Sequence, residues 1–417
     1  MEGKTARKER LHELIDLACI HRGWSRAELA RALKRDPTKL YPESGNPKMD
    51  FLIALADVIE WSIDDVAKFV SRGKSFAPEI AEGAEFESLD RAAKQTHQRG
   101  EFAKMVELAR QMYFVAKTPE ERARACNREH GGWDGRGRYT KALEAVCRGL
   151  REEHISTRRR LQLQTNLANT HYTLWELSSA HAHAHVVLEW YAAHPPGDVV
   201  DRKNHAFAFF VRGHTFRRRA LRDLEQTVQH CRQARSDLET AARLYRELSA
   251  ELNDERLAGV AHTCEAGLIE VDVGLGLREP PDAVDELWGR LKLADDEGDW
   301  PVGDWLESYG WTCIMGANIA LRYLTGRAQD RALGKFTNKA LQIADRLDNW
   351  ALRERVLEMD FRLHKAQCEA TDLDLPYTID HEDMRLIVGA MGRFPIFHET
   401  GWEILQTAKI VSDARRN

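Results

Sequence analysis

Apolar residues in the first 75 positions recur at i, i+3, i+4 and i+7, the spacing of helices that each bury one face. Leu11, Leu14, Ile15 and Ala18 mark one such face within roughly Ala6 to His21. Leu29, Ala30 and Leu33 mark a second, and Phe51, Leu52, Leu55, Ala56 and Ile59 a third. Val66, Phe69 and Val70 close the series. Polar residues set the boundaries. Ser25 with Glu28 reads as a capping box that starts a helix at Arg26. Asp36 before Pro37 is an N-cap followed by proline at the first helical position. Gly45, Asn46 and Pro47 break the chain; Asp50 is expected to cap the next helix, and Ser62 with Asp65 the one after. Five short helices in this length can enclose one small core.

Beyond Ser75 the pattern stays helical, and strand-like alternation is nearly absent. Thr118–Pro119, Pro195–Pro196–Gly197, Glu279–Pro280–Pro281 and Leu375–Pro376 punctuate it, which predicts helical hairpins and not one rod. A phrase also repeats. GEFAKMVELA begins at Gly100, GRYTKALEAV at Gly137, 37 residues later, and the weaker WELSSAHAHA at Trp175, another 38 on. Each has a turn residue, a large residue two positions on (Phe102, Tyr139, Leu177), and a small or flexible one three further (Met105, Ala142, Ala180). Helices of this kind cannot bury a face alone and stack into arrays. The stretch Thr337 to Phe361 has the same hairpin texture. GGWDGRG (Gly131 to Gly137) is Gly-rich, lacks the phosphate-loop lysine and a preceding strand, and is predicted to be a loop between repeat helices.

Two resemblances follow. Ser25 to Val66, with SRAELARAL, the ESGNP turn and WSIDDV, resembles the Cro/C1-type (XRE) helix-turn-helix domain of bacterial and phage regulators. Here the second helix of the motif is only Pro37 to Tyr41, ended by Pro42. By that resemblance the groove-facing residues are Arg35, Thr38, Lys39 and Tyr41, while Ser25, Arg26, Ser44, Asn46 and Lys48 hold the DNA backbone. The repeated phrase resembles the tetratricopeptide repeat, whose second helix starts G-x-Y-x-x-A, though at a longer period than its norm. In the third copy Leu167 and Ala168 take the packing positions of the first helix. Thr165, Asn166, Asn169 and Tyr172 then face the concave side, with Asn166, Asn169 and Tyr172 as ligand-binding candidates for a peptide backbone. Arg158, Arg159 and Arg160, and Arg217, Arg218, Arg219 and Arg222, are candidates to hold acidic groups.

The expected fold is all-α: residues 1–75 form the helix-turn-helix domain, and 76–417 form the repeat solenoid after a short linker near Arg72 to Glu85. This plan resembles peptide-sensing bacterial regulators. It implies double-stranded DNA, a peptide or protein ligand in the solenoid groove, and a homodimer as partners. The alternative is a protein-interaction adaptor whose helix-turn-helix no longer reads DNA.

Charge and composition refine this reading. Residues 1–76 hold 14 Lys and Arg against 12 Asp and Glu, net +2; the whole chain is −5, leaving −7 elsewhere. Lys4, Arg7, Lys8 and Arg10 could reach phosphates, but so low a charge predicts weak, salt-sensitive non-specific binding. Seven scattered cysteines without a CxxC pair fit reduced thiols, and no signal-like or membrane-spanning stretch occurs, so a cytoplasmic protein is expected. His181, His183 and His185 are the most metal-like string, but HExxH and paired cysteines are missing, so neither metal nor cofactor is expected. No GxSxG or other catalytic constellation stands out, so the chain is not read as an enzyme.

Overall fold

A computed structural model describes residues 2–43, 46–61, 63–72, 85–291, 300–301, 303–371 and 376–411. The chain divides into two units, Met1–Gly83 and Ala84–Asn417. The fold is all-α. The strand pairing among the described residues is one parallel match of Thr378–Ile379 (β1) with Lys409–Ile410 (β2).

The first unit holds α1 (Glu2–Arg22), α2 (Arg26–Ala32), a single 3-10 turn (Pro37–Lys39), α3 (Met49–Ile59) and α4 (Ile63–Arg72). The capping box forms in both directions: Glu28 N donates to Ser25 Oγ at 3.3 Å, and Ser25 N donates to Glu28 Oε2 at 2.8 Å. Asp36 Oδ1 accepts from Thr38 N at 2.8 Å, which starts the 3-10 turn. The expected Asp50 cap is not used. Lys48 is the N-cap of α3 and caps with no side-chain bond; Asp50 lies in the first turn, where its charge suits the helix dipole. Ser62 lies outside the described residues. Leu11, Leu14, Ile15, Leu29 and Leu55 are fully buried in one core, and Leu40, also fully buried, pins the end of the 3-10 turn to it.

The second unit begins with three hairpins: α5 (Phe86–Gln98) and α6 (Phe102–Val115), α7 (Pro119–Gly135) and α8 (Tyr139–Leu150), α9 (Thr157–Thr173) and α10 (Leu177–Ala193). Longer helices follow: α11 (Val199–Arg222), α12 (Thr227–Leu252), α13 (Glu255–Gly274), α14 (Pro280–Arg290), α15 (Asp304–Tyr323), α16 (Gly326–Leu347) and α17 (Trp350–Thr371), then α18 (His381–Met391) and α19 (His398–Thr407). Phe102, Tyr139 and Leu177 each begin the second helix of a hairpin. The residues that turn the chain into them, Gly100, Gly137 and Trp175, share one left-handed backbone with φ +72°, +62° and +65°. A tryptophan there costs about 1 kcal/mol of backbone strain. Three guanidiniums hold its ring, those of Arg218, Arg355 and Arg222 at 4.2, 4.4 and 4.7 Å from the centroid.

The Gly-rich stretch is not the expected loop. Gly131 to Gly135 form the last turn and more of α7, because that face packs directly on α6. A Cβ on Gly132 would stand 2.7 Å from Val106 Cγ2. The solenoid also curls until distant segments meet. The Tyr139 ring lies 5.2 Å from that of Phe394, and a Cβ on Gly137 would come within 2.9 Å of Trp350. α8, α17 and α18 thereby share one apolar cluster.

Candidate DNA-contact surface and solenoid cavity

In the first unit, the Asp36 cap and the Leu40 anchor leave Pro37, Thr38 and Lys39 on the surface, with none of the three buried. The candidates differ in how far they are already engaged. Lys39 is exposed, and its ammonium makes no hydrogen bond or ion pair among the described residues, although the Asp36 carboxylate feels its charge. Lys48 is exposed at the start of α3. Arg35 lies over the Phe51 ring at 4.1 Å and donates to Lys39 O at 3.4 Å. The Thr38 hydroxyl donates to Asp36 Oδ1 at 2.6 Å. Tyr41 is half-buried: its hydroxyl donates to Asp16, His12 packs edge-on at 5.0 Å, and Arg26 lies 4.9 Å from its ring centroid. Burial and Asp16 push the Tyr41 phenol up to about 12, so it stays a neutral donor. Ser25 is committed to the capping box. Asn46 is exposed, and Ser44 lies outside the described residues. Of the N-terminal basic cluster, Arg7 is exposed, but Arg10 donates to Val70 O at 3.0 Å and Ser71 O at 3.1 Å, tying α1 to α4. The Lys4 side chain lies outside the described residues.

In the second unit the first helices of successive hairpins line a cavity of about 420 Å³. Asn169 and Tyr172 both line it. The Asn169 amide has no protein partner among the described residues. Tyr172 is 7% exposed, its ring carries the Arg218 guanidinium at 3.8 Å, and its hydroxyl accepts from Arg217 at 3.4 Å. Asn166 is not in the lining; its amide donates to Asn127 Oδ1 at 2.7 Å, across neighbouring first helices. Thr165 is not on the concave face either: it is fully buried and its hydroxyl donates back to Leu161 O at 3.0 Å.

The arginine runs are engaged internally. Arg158 pairs with Asp198 and Asp201, and Arg159 donates to Glu120 at 3.2 Å. Arg160 reaches Leu150 O at 3.5 Å. Arg217 is buried against Glu270 at 2.6 Å, Arg218 donates to Tyr172 O at 2.6 Å, and Arg219 to Leu177 O at 3.3 Å. Buried cations need such partners, since an unpaired charge away from water is costly. The histidine string is likewise absorbed. His181 and His185 stack at 5.6 Å, and burial and Arg219 push His181 down to about 4, so it is neutral. His183 shares a 2.7 Å hydrogen bond with Gln164. No group of three or more metal-ligating side chains occurs among the described residues.

The cavity contains groups that the sequence reading missed. Asp134 ends α7, and Asp304 and Glu307 begin α15; all three line the cavity with Asp348, and no Lys or Arg does. Asp348 is paired with Arg353 at 2.6 Å. Glu307 Oε1 accepts from Trp311 Nε1 and Asn349 Nδ2, each at 3.1 Å. Asp134 has no hydrogen bond or ion pair from its carboxylate among the described residues. Burial and the Glu307 charge push it up to about 7. Burial also raises Glu307, with Asp304 adding to it. The position of Asp134 was readable: it stands five residues before Tyr139, as Tyr172 stands five before Leu177.

No protein-family model matches the chain, and no curated protein matches it. Among solved structures it is similar to the crystal structure of Bacillus thuringiensis PlcR in complex with the peptide PapR7 and DNA. The match has 13% identity and a TM-score of 0.36, and covers 69% of this chain and 96% of that one. A superposition that loose carries no argument about either unit. No helix among the described residues is long and apolar enough to cross a membrane.

Proposed function

We propose that the chain is a transcriptional regulator: the first unit docks on double-stranded DNA, and the second binds a ligand that changes how it does so. The observation that carries the reading is the capped turn Asp36–Lys39. Its two ends are fixed by the Asp36 cap and by buried Leu40, while Thr38 and Lys39 stay exposed. A rigid turn with an exposed ammonium suits a phosphate or a guanine edge. The engaged Arg35, Arg26 and Tyr41 then support this turn from behind, and base readout rests on Lys39 with help from Lys48. In a homodimer, a ligand that favours one curvature of the solenoid would shift the spacing of two such heads. The activity is binding, not catalysis, and belongs in the cytoplasm.

Titration of labelled promoter fragments with the full chain at several salt concentrations tests the reading. Docking predicts affinity that falls steeply as salt rises. Salt-independent or absent binding removes it. One observation favours the adaptor reading instead: the exposed element is a single 3-10 turn, and most of its polar neighbours already have partners. An adaptor would bind a protein through the solenoid and show no DNA affinity at low salt.

A further inference from the structure

The cavity of the second unit has an unbalanced chemistry. Four carboxylates reach it from α7, α15 and the end of α16; Asp348 has its arginine, while the charges of Asp134, Asp304 and Glu307 meet no Lys or Arg in the lining. Behind them Arg256, bound to Asp254 at 2.8 Å, and His97 face Asp304 only. Aromatic rings fill much of the remaining wall, among them Tyr139, Phe210 and Trp311. Rings and carboxylates together attract cations.

A second observation is independent of the acids. His214 of α11 lines the same cavity at 1% exposure. Its Nδ1 accepts from Arg217 Nε at 3.1 Å, which leaves Nε2 as the N–H of a neutral ring. Burial and the charges of Arg217 and Arg218 hold His214 well below the usual imidazole range, in agreement. That buried Nε2 has no partner among the described residues. Native proteins seldom leave such a donor unmet.

We propose that this cavity binds a cationic ligand: a protonated amine or guanidinium on an apolar body that also carries a carbonyl acceptor. The cation meets Asp134 and Glu307, the body lies on the aromatic wall, and the carbonyl accepts from His214 Nε2. The Asn169 amide, which has no protein partner among the described residues, offers one further polar contact. The volume suits a small molecule or the end of a peptide. This deepens the regulator reading by naming what the sensory unit takes, and it reverses the expectation that arginines would hold an acidic ligand.

A proton accompanies binding. Without ligand, burial and the Glu307 charge push Asp134 up to about 7, so it keeps its proton to near neutral pH. A cation between the two carboxyls displaces a proton, so affinity falls as pH drops below about 7.

Isothermal titration of the full chain tests the inference in two arms. One compares L-phenylalaninamide with its N-acetyl form. The other compares acetylated tripeptide amides Phe-X-Phe with X as Lys, Gln or Glu. At least one cationic probe is expected to bind about tenfold or more tightly than its neutral and anionic partners. The arm that binds tells a free amine from a peptide. Asp134→Asn with Glu307→Gln, which keeps the acceptor facing Trp311 and Asn349, should lose that preference while the helical circular-dichroism spectrum persists. The wild-type pH series stands independently of that variant: affinity should fall from about pH 8 to pH 6. The inference is overturned if no cationic probe binds, if neutral or anionic probes bind as well, or if affinity ignores pH. DNA titration is a separate readout. A cation that fills the cavity without altering DNA binding leaves this inference standing and removes the sensing half of the regulator reading.

Discussion

The two units handle charge in opposite ways. In the first, polar side chains stay near the surface, where some close on near neighbours, as Ser25 with Glu28 and Thr38 with Asp36, and others bridge helices, as Arg22 with Glu60 at 3.0 Å. In the second, charges are taken inside. Arg217 meets Glu270 with both nearly inaccessible, and Glu270 also accepts from Asn318 at 3.1 Å. Closure at the surface fixes the shape of a small head cheaply and leaves an exposed turn free. Buried pairs demand that helices from distant repeats arrive in register. The second arrangement is also what allows carboxylates to be stranded in a cavity, because a solenoid that curls on itself brings together groups that no local rule has paired.

The largest expected effect probes that contrast directly. Arg217→Met leaves Glu270 buried and without its ion-pair partner, with only the more distant Arg322 charge, and His214 Nδ1 without its donor. Loss of about 3–5 kcal/mol from the second unit is expected by urea titration. Adding Glu270→Leu should return most of it, since the uncompensated charge then disappears. If the double variant is no more stable than the single, the pair is not the source of the cost.

Asp134 gives the next effect, and its sign is opposite to that of an ordinary ion pair. Its folded value, pushed up to about 7, lies above the unfolded carboxylate range, so the native state holds the proton more tightly. Stability is intact below the unfolded value near 4, and falls as pH rises from there to about 7. Asp134→Asn should therefore stabilise the second unit by about 2 kcal/mol at pH 8, after allowance for solvent in the cavity, and by nearly nothing at pH 4. Denaturant midpoints at both pH values check this. Equal gains at both would assign the effect to packing.

In the first unit, Ser25→Ala removes one half of the capping box and should cost about 1 kcal/mol, read from its own thermal or urea transition. A loss above about 3 kcal/mol would show that this unit, too, depends on interactions its surface does not display.

How much of this was legible depends on how local each signal is. The Ser25–Glu28 box, the Asp36–Pro37 start and the Gly100, Gly137 and Trp175 turns each lie within one turn of chain, and the structure has all of them. Glycine is ambiguous by nature: the same residue that allows a loop allows two helices to touch, and Gly132 does the second. The carboxylate partners of the arginine runs lie some 39 to 53 positions away, as with Glu120 for Arg159 and Glu270 for Arg217. A run of cations read alone therefore looked available. Asp134, Asp304 and Glu307 belong to segments that only the closure of the solenoid joins, so their shared cavity was invisible, although the repeat register already placed Asp134 where Tyr172 stands.

The smallest change in stability should come from Lys39→Ala, and it separates a surface turn from a docking surface. The side chain is exposed and makes no hydrogen bond or ion pair among the described residues, so folding should change by no more than about 0.5 kcal/mol. DNA affinity should nonetheless fall, and the slope of log affinity against log salt should drop by about one if the ammonium meets a phosphate. If it reads a guanine instead, the salt slope holds and discrimination between promoter variants narrows. Arg35 is the less informative partner for this test, because its guanidinium packs on Phe51 and its loss would disturb the head itself. A Lys39→Ala protein that binds every DNA as the parent does would make the Asp36–Lys39 turn an ordinary piece of surface and favour the adaptor reading.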